Sequence, residues 1–383
     1  MAKKKETGYL SASESRRIAR ENRRITNEFE KQHKRKNVPE SEYLTQMENP
    51  ENALEIDDLH TYFFTDVGVS KAVDGVTFNV PLGKTIGVVG ESGCGKSVTS
   101  LSVMQLLQRP QGQIVSGSIR LNLGTKAYDI TKTPTETMQK LRGNYISMIF
   151  QEPMTSLNPV FRIGAQVDEV IELHDGKGMT KEDIKGRTIE MLKMVGIANP
   201  EGVYRMFPHE LSGGMRQRVM IAIALACNPK VIIADEPTTA LDVTIQAQII
   251  DLLKELKDKL GMAIIFITHD LGVVSDICDK IIVMYAGKIV ESGEKRRIFY
   301  QQQHPYTKGL LASVPDVDSD VSEKLKPIKG NPPDMSTLKP GCAFAPRCNC
   351  AMQICVREEP PLMEMEEEHE AACWELLKDE MNK

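Results

Sequence analysis

The sequence predicts an α/β layered domain, and three observations predict it. Short apolar runs that read as buried parallel strands ("KTIGVVG", "YISMIFQ", "VIIAD", "AIIFITHD") alternate with stretches of helical periodicity ("VTSLSVMQLLQ", "TIQAQIIDLLKELKDKL"). The first of these strands runs directly into a glycine-rich turn that opens a helix. The chain has 383 residues, 41% hydrophobic and 26% charged, which is enough for one large globular domain with appendages.

Residues 1–52 read as a charged N-terminal extension. They hold few apolar residues, and "SESRRIARENRRITNEFEKQHKRK" is either a charged helix or a solvated, disordered arm. Residues 1–37 carry twelve Lys/Arg against five Glu, so the remainder of the chain is acidic enough to bring the net charge to −5. A global charge argument for nucleic acid therefore fails, and a basic arm that could meet anionic lipid or RNA remains.

Residues 53–315 form the expected main domain. "LEIDDLHTYFF" alternates like a strand of an antiparallel N-terminal sheet. The stretch 157–225 breaks the alternation with successive helices ("FRIGAQVDEVIELH", "KEDIKGRTIEMLKMVG", "MRQRVMIAIALAC") and reads as an inserted helical subdomain. Gly261 is placed to end a long helix, and "KIIVMYAGKIVESG" reads as a hairpin turning at Ala286-Gly287. Prolines in "KPIKGNPPDM" then lead into a cysteine-rich extension, 316–383, whose glutamates are expected to be solvated. No apolar run approaches the ~20 residues that cross a bilayer, and the N-terminal lysines precede no apolar core. The expected location is the cytoplasm.

Three motifs carry chemistry. "GESGCGKS", residues 90–97, has the spacing of a phosphate-binding loop between a strand and a helix. Its backbone N–H groups, from Gly90, Glu91, Ser92, Gly93, Cys94 and Gly95 onward, can cradle phosphate oxygens. Lys96 reaches the β- and γ-phosphates, Ser97 offers a hydroxyl to Mg²⁺, and the Cys94 thiol is incidental. "VIIADE", residues 231–236, ends an apolar strand in two carboxylates. Asp235 is placed to hold Mg²⁺ and Glu236 to polarise an attacking water. "LSGGMRQR", from residue 211, sets Ser212, Gly213 and Gly214 before a helix as a second anion-binding terminus.

Taken in order, "GESGCGKS", "LSGGM", "VIIADE", "ALD" and "THD" make residues 53–300 resemble the ATP-binding subunit of an ABC transporter, a P-loop NTPase. The resemblance implies a head-to-tail dimer of nucleotide domains. In it the signature residues Leu211, Ser212, Gly213, Gly214 and Met215 cap ATP held by the opposite subunit. It further implies that Gln151 joins Ser97 and Asp235 around Mg²⁺, and that His269 contacts the γ-phosphate. Asp242 would lie in the loop joining the two sites, and Phe63 would stack on adenine between its neighbours Tyr62 and Phe64. "MIFQEPMTSLNPVFRIGAQ", "QHPYTKGLLASVPD" and "IKGNPPDMSTLKPGCAFAPRC" narrow the resemblance to oligopeptide and dipeptide permeases, D-type subunit.

Five of the eight cysteines fall after residue 341. Cys342, Cys348, Cys355 and Cys373 supply the ligand count of a tetrahedral zinc or a [4Fe–4S] cluster, and their gaps lack the paired knuckles of structural zinc. They also resemble the cysteines of iron–sulfur-bearing peptide-transporter ATPases. A cluster is the leading expectation, with zinc and free thiols as alternatives and Cys350 as an extra thiol.

The expected function is an ATP-binding and hydrolysing subunit that energises oligopeptide or dipeptide import, using ATP, Mg²⁺ and a [4Fe–4S] cluster. Its expected partners are an F-type ATPase or a second copy, two transmembrane permeases and an extracytoplasmic peptide-binding protein. The chain would then sit peripherally on the cytoplasmic face of the membrane. A nickel importer of the same subgroup is one alternative. Another is a non-transport ATPase acting on nucleic acid or the ribosome, which the single phosphate loop and the lack of long heptads disfavour.

Overall fold

The structure is a computed structural model that describes residues 11–151, 156–174, 178–239, 241–313 and 327–378. Outside these lie the three lysines of the N-terminus, Ala240 of the "ALD" motif and the expected 315/316 boundary. Part of "QEPMTSLNP" and the last five residues also lie outside them. The strands are β1 (Leu44–Thr45), β2 (Asn52–Thr65), β3 (Gly68–Pro81), β4 (Thr85–Val89), β5 (Gly112–Asn122), β6 (Ala127–Asp129), β7 (Ile146–Ile149), β8 (Val231–Asp235), β9 (Ala263–Thr268), β10 (Lys280–Tyr285), β11 (Lys288–Glu294), β12 (Met363–Glu366) and β13 (His369–Ala371). The helices are α1 (Ala12–His33), α2 (Lys96–Val103), α3 (Thr135–Leu141), α4 (Ile163–His174), α5 (Lys181–Met194), α6 (Pro200–Arg205), α7 (Gly213–Leu225), α8 (Val243–Leu260), α9 (Leu271–Ile277), α10 (Lys295–Tyr300) and α11 (Pro305–Ala312).

Two sheets organise these elements. An antiparallel sheet runs β1-β6-β5-β2-β3, and a larger one runs β12-β13-β11-β10-β4-β9-β8-β7. From β10 to β7 the strands of the larger sheet are parallel. Every residue of β4, β7, β8 and β9 is buried, which is why their sequences are continuous apolar runs rather than alternating ones. Register brings Val88 beside Ile267 on one side and Ile282 on the other, and aligns Asp235 with Ile267. The phosphate loop thus emerges from the sheet's centre, where ligands bind in open parallel sheets.

Between β7 and β8, helices α4, α5, α6 and α7 pack on one another through buried Val167, Ile171, Leu192, Val203 and Ile221. Thr180 starts α5 with a reciprocal capping box, and Pro200 opens α6 at its first turn. Gly261 ends α8 in the left-handed region at φ 64°. Ala286 and Gly287, at φ 49° and 81°, turn β10 back into β11, pairing Tyr285 with Lys288.

One segment differs from expectation, and another is decided between two readings. Helix α2 stops at Val103, although its apolar periodicity runs on to Gln108. Gln105 takes a positive φ of 49° and donates its amide to the Thr133 carbonyl at 2.9 Å, which turns the chain out of the helix. The N-terminal arm, weighed as solvated or helical, contains the docked helix α1. Ser11 and Glu14 cap it reciprocally, and buried Asn22 donates to the Thr65 carbonyl at 2.7 Å. Half-buried Ile18, Ile25 and Phe29 share the face of Asn22, so a polar anchor and a short apolar stripe together tie it to the β2–β3 hairpin.

Towards the C-terminus, β13 and β12 continue the sheet edge beyond β11. The buried His369 Nε2 lies 2.9 Å from Glu291 Oε1. The same carboxylate accepts the N–H groups of Gln303 at 2.7 Å and His304 at 2.9 Å, so the buried charge is fully partnered. The glutamates of β12 are exposed, as expected of a solvated surface.

Candidate active site

The loop 90–97 leaves β4 and enters α2. Gly90 (φ 151°) and Gly95 (φ 107°) leave no room for a side chain: a Cβ on either would sit 2.3 Å from a backbone oxygen, that of Met284 or Ala72. Lys96 is 5% exposed, and its Nζ donates to the carbonyls of Gly90 at 2.7 Å and Glu91 at 3.0 Å. Cys94 is buried, with its sulfur 3.8 Å from that amine, and burial pushes its thiol pKa up.

Ser97 joins the loop to β8 by donating its hydroxyl to Asp235 Oδ1 at 3.1 Å. Asp235 is nearly buried. Burial, reinforced by the Glu236 carboxylate, raises its pKa above the usual range against the opposing pull of Ser97 and Lys96. A divalent cation would relieve that penalty. The donors gathered here, a hydroxyl and a carboxylate, are the hard oxygens that suit Mg²⁺.

Glu236 follows the strand in the left-handed region, at φ 47°, with its N–H bonded to the Ile267 carbonyl at 2.9 Å. Such a backbone state costs on the order of 1–3 kcal/mol and survives where surrounding contacts over-determine it. Here they do. Glu236 Oε2 accepts from the Gln151 amide and from the Thr239 hydroxyl, each at 3.0 Å, and Oε1 lies 3.2 Å from His269 Nδ1. The Gln151 amide nitrogen is occupied by that bond, which leaves its oxygen as the end able to face a cation. His269 is 63% exposed and reaches outward from the end of β9. Thr239 escaped the sequence reading; its only signal was a hydroxyl three residues beyond a carboxylate.

Ser212 caps α7, its hydroxyl oxygen accepting the Met215 N–H at 3.3 Å. Ser212 and Gly213 are exposed, Leu211 is buried, and a Cβ on Gly214 would meet Ile245 at 2.9 Å. Asp242 caps α8 by accepting the Ile245 N–H at 3.0 Å. On β2, Tyr62 donates its hydroxyl to Asp74 at 2.6 Å and Phe64 is buried. Phe63 is half-buried and pairs with Ser70 and Gly112 on the flanking strands.

In the extension, Cys342, Cys348, Cys350, Cys355 and Cys373 line one small cavity with His304, Phe344 and Trp374. The Cys342 N–H donates to the Cys355 carbonyl at 2.7 Å. N–H groups of Cys350 and Met352 point at the sulfurs of Cys348 and Cys355, at 3.4 and 3.5 Å. Burial raises the thiol pKa values of Cys342, Cys348 and Cys373, the last to about 11, and the neighbouring sulfurs add to the rise. None of the eight cysteines is in a disulfide. Among the described residues, no group of three or more His, Cys, Asp or Glu is arranged to hold a metal ion.

The chain is similar to several known proteins. Residues 73–239 match the ABC transporter family, and residues 290–355 match the C-terminal region of the oligopeptide/dipeptide transporter family. The oligopeptide transport ATP-binding protein AppD of Bacillus subtilis (strain 168) is 52% identical over 310 residues, 81% of this chain and 92% of its own. The oligopeptide transport ATP-binding protein OppD of Salmonella typhimurium is 51% identical over 323 residues, 84% of this chain and 93% of its own. The dimeric post-hydrolysis structure of the ATP-binding cassette MJ0796, bound to ADP and Pi, superposes with a TM-score of 0.56 at 27% identity. It covers 63% of this chain and 99% of that one. The chain is an ATPase with the α/β cassette fold and belongs to the ATP-binding proteins of ABC transporters, within the oligopeptide/dipeptide transporter family.

Proposed function

We propose that this chain hydrolyses ATP to drive import of short peptides. The observation that carries the reading is Glu236, a carboxylate held by Gln151, Thr239 and His269 beside the Lys96–Ser97–Asp235 cluster. The relatives at about half identity are named oligopeptide and dipeptide transport ATP-binding proteins, which supplies the cargo class.

In this reading the loop N–H groups beyond Glu91, whose own N–H is held by the Tyr306 hydroxyl, receive the phosphates, Lys96 draws charge off the β- and γ-phosphates, and Phe63 packs against the base. Ser97, Asp235 and Gln151 would hold Mg²⁺, which when bound offsets charge on the phosphate oxygens. Glu236 accepts the proton of the attacking water, and Gln151 and Thr239 keep its carboxylate aimed. His269 meets the γ-phosphate. Leu211, Ser212, Gly213, Gly214 and Met215 serve the site of a second subunit, with Asp242 beside them at the junction.

The chain divides into an extension, 1–52, the ATPase domain, 53–315, with helices 157–225 as an inserted subdomain, and a cysteine-rich extension, 316–383. The partners are an F-type ATPase or a second copy, two permeases and an extracytoplasmic peptide-binding protein. No helix among the described residues is long and apolar enough to cross a membrane, so those permeases provide the attachment to its cytoplasmic face.

Cys342, Cys348, Cys355 and Cys373 would hold a [4Fe–4S] cluster. The four cysteines line one cavity, backbone N–H groups point at two of the sulfurs, and a cubane spreads its ligands more widely than a single ion. Bound there, the cluster would cross-link a segment too small to fold on burial alone. Visible absorption bleached by dithionite, lost when any of these four becomes serine and kept in Cys350→Ser, checks it.

The decisive test of the ATPase reading is Glu236→Gln. Turnover should fall on the order of 10²–10⁴-fold while an ATP-bound dimer accumulates. Turnover near wild type with no ATP-dependent dimer would reject it.

A further inference from the structure

The phosphate loop has an outer side, and the C-terminal extension covers it. Glu91, the loop's second residue, is held at three points. Its N–H donates to the Tyr306 hydroxyl at 2.8 Å, and its carbonyl accepts from Lys96 Nζ at 3.0 Å. Its carboxylate receives both terminal nitrogens of Arg347, at 2.5 and 2.9 Å. Arg347 lies 256 residues further along the chain, in the cysteine-rich extension, with its side chain 5% exposed.

Arg347 is itself anchored. Its Nε donates to the Lys329 carbonyl at 3.0 Å and its Nη1 to the Tyr285 hydroxyl at 3.3 Å. Its guanidinium lies 5.9 Å from the ring centres of both Tyr285 and Phe344. Tyr306 is fully buried, with its ring centre 4.6 Å from that of Tyr285 and 5.4 Å from that of Phe344. Pro332, Pro333 and Met335 border a small cavity against residues 91–94.

This arrangement suits the loop's need. Gly90, Gly93 and Gly95 all have positive φ, so the loop gives up much backbone freedom to hold one shape. Phosphate binding is strong only where the N–H groups are already aimed. A two-pronged guanidinium–carboxylate pair fixes direction as well as distance, which apolar packing does not.

We propose that Arg347 and Tyr306 are positioning residues for ATP binding, bracing Glu91 from outside so that the loop backbone and Lys96 stand ready for the phosphates. Neither residue contacts the nucleotide in this scheme. The inference rests on residues 90–97 being the ATP cradle.

The experiment uses the purified full chain with a fluorescent ATP analogue for Kd, and the assembled transporter for KM and kcat. Arg347→Ala and Glu91→Ala should each raise Kd and KM about tenfold, with kcat changed less than about threefold. The double variant should match either single one rather than multiply them, since both remove one interaction. Tyr306→Phe should shift Kd in the same direction, and Arg347→Lys should recover only part of the affinity. Glu91→Ala leaves every side chain of the extension in place, so it is decisive where Arg347→Ala folds poorly. Affinities within about twofold of wild type in both single variants, or multiplying effects, would overturn the brace. Lys96→Ala separates the two layers. If it binds ATP like wild type, the cradle assignment falls and the brace with it. If it loses ATP while Glu91→Ala does not, the brace alone falls.

Discussion

Strands β4, β8 and β9 bring almost nothing but buried apolar side chains into the large sheet, whereas β11, in the same sheet, brings Glu291 and Ser292. These meet His369 and Glu370 of β13, with the Ser292 hydroxyl 2.9 Å from a Glu370 oxygen. The parallel half is held by burial, which has no direction and tolerates exchanges that keep volume. The antiparallel edge is held by a few aimed bonds, each hard to replace. The first half presents the carboxylates at its strand ends, and the second connects the extension to them.

Four experiments separate the two kinds of half. The largest loss should come from Phe266→Ala, at the fully buried centre of β9: about 3–5 kcal/mol, read from the urea midpoint. Phe266→Leu should cost far less if packing alone matters. Next comes pH. Burial lowers the His304 pKa to about 4, while its Nδ1 accepts the Tyr306 N–H at 3.0 Å. A folded pKa below the unfolded value of about 6.5 means that this residue's contribution is whole above 6.5 and is lost as pH falls toward 4. It amounts to about 3 kcal/mol at most. His304→Asn should flatten that acid limb; parallel stability curves for variant and wild type between pH 7 and 4.5 would refute it.

His369→Ala removes one of three partners of Glu291, and its expected cost is smaller, about 1–3 kcal/mol. Hydrogen exchange should quicken in β11 and β13 while β4 and β9 keep their protection. Equal loss in both halves would dissolve the contrast. Smallest of all is Arg35→Ala, which breaks the exposed pair with Glu42 and should leave the midpoint unmoved.

What could be read beforehand follows the same division. The phosphate loop, the strand ending in Asp235 and Glu236, the cap at Gly261 and the turn at Ala286-Gly287 were legible because each depends on adjacent residues. Apolar runs and glycines at positive φ leave local marks. The links that cross the chain leave none. Nothing near Glu91 announces Arg347, nothing near Glu291 announces His369, and Asn22 looks like any polar residue on a charged helix. The early end of α2 was hidden similarly, since the partner of Gln105 comes from Thr133, a distant loop.

The cap on α7 has a consequence for chemical polarity. Because the Ser212 oxygen already accepts a hydrogen bond from the Met215 N–H of its own helix, one of its lone pairs is committed inward and its hydrogen can point out. An oxyanion arriving from a neighbouring subunit would find a donor there. Aspartate at this position could start the helix equally well, yet it would offer that anion a like charge. Serine satisfies both demands with a single atom pair.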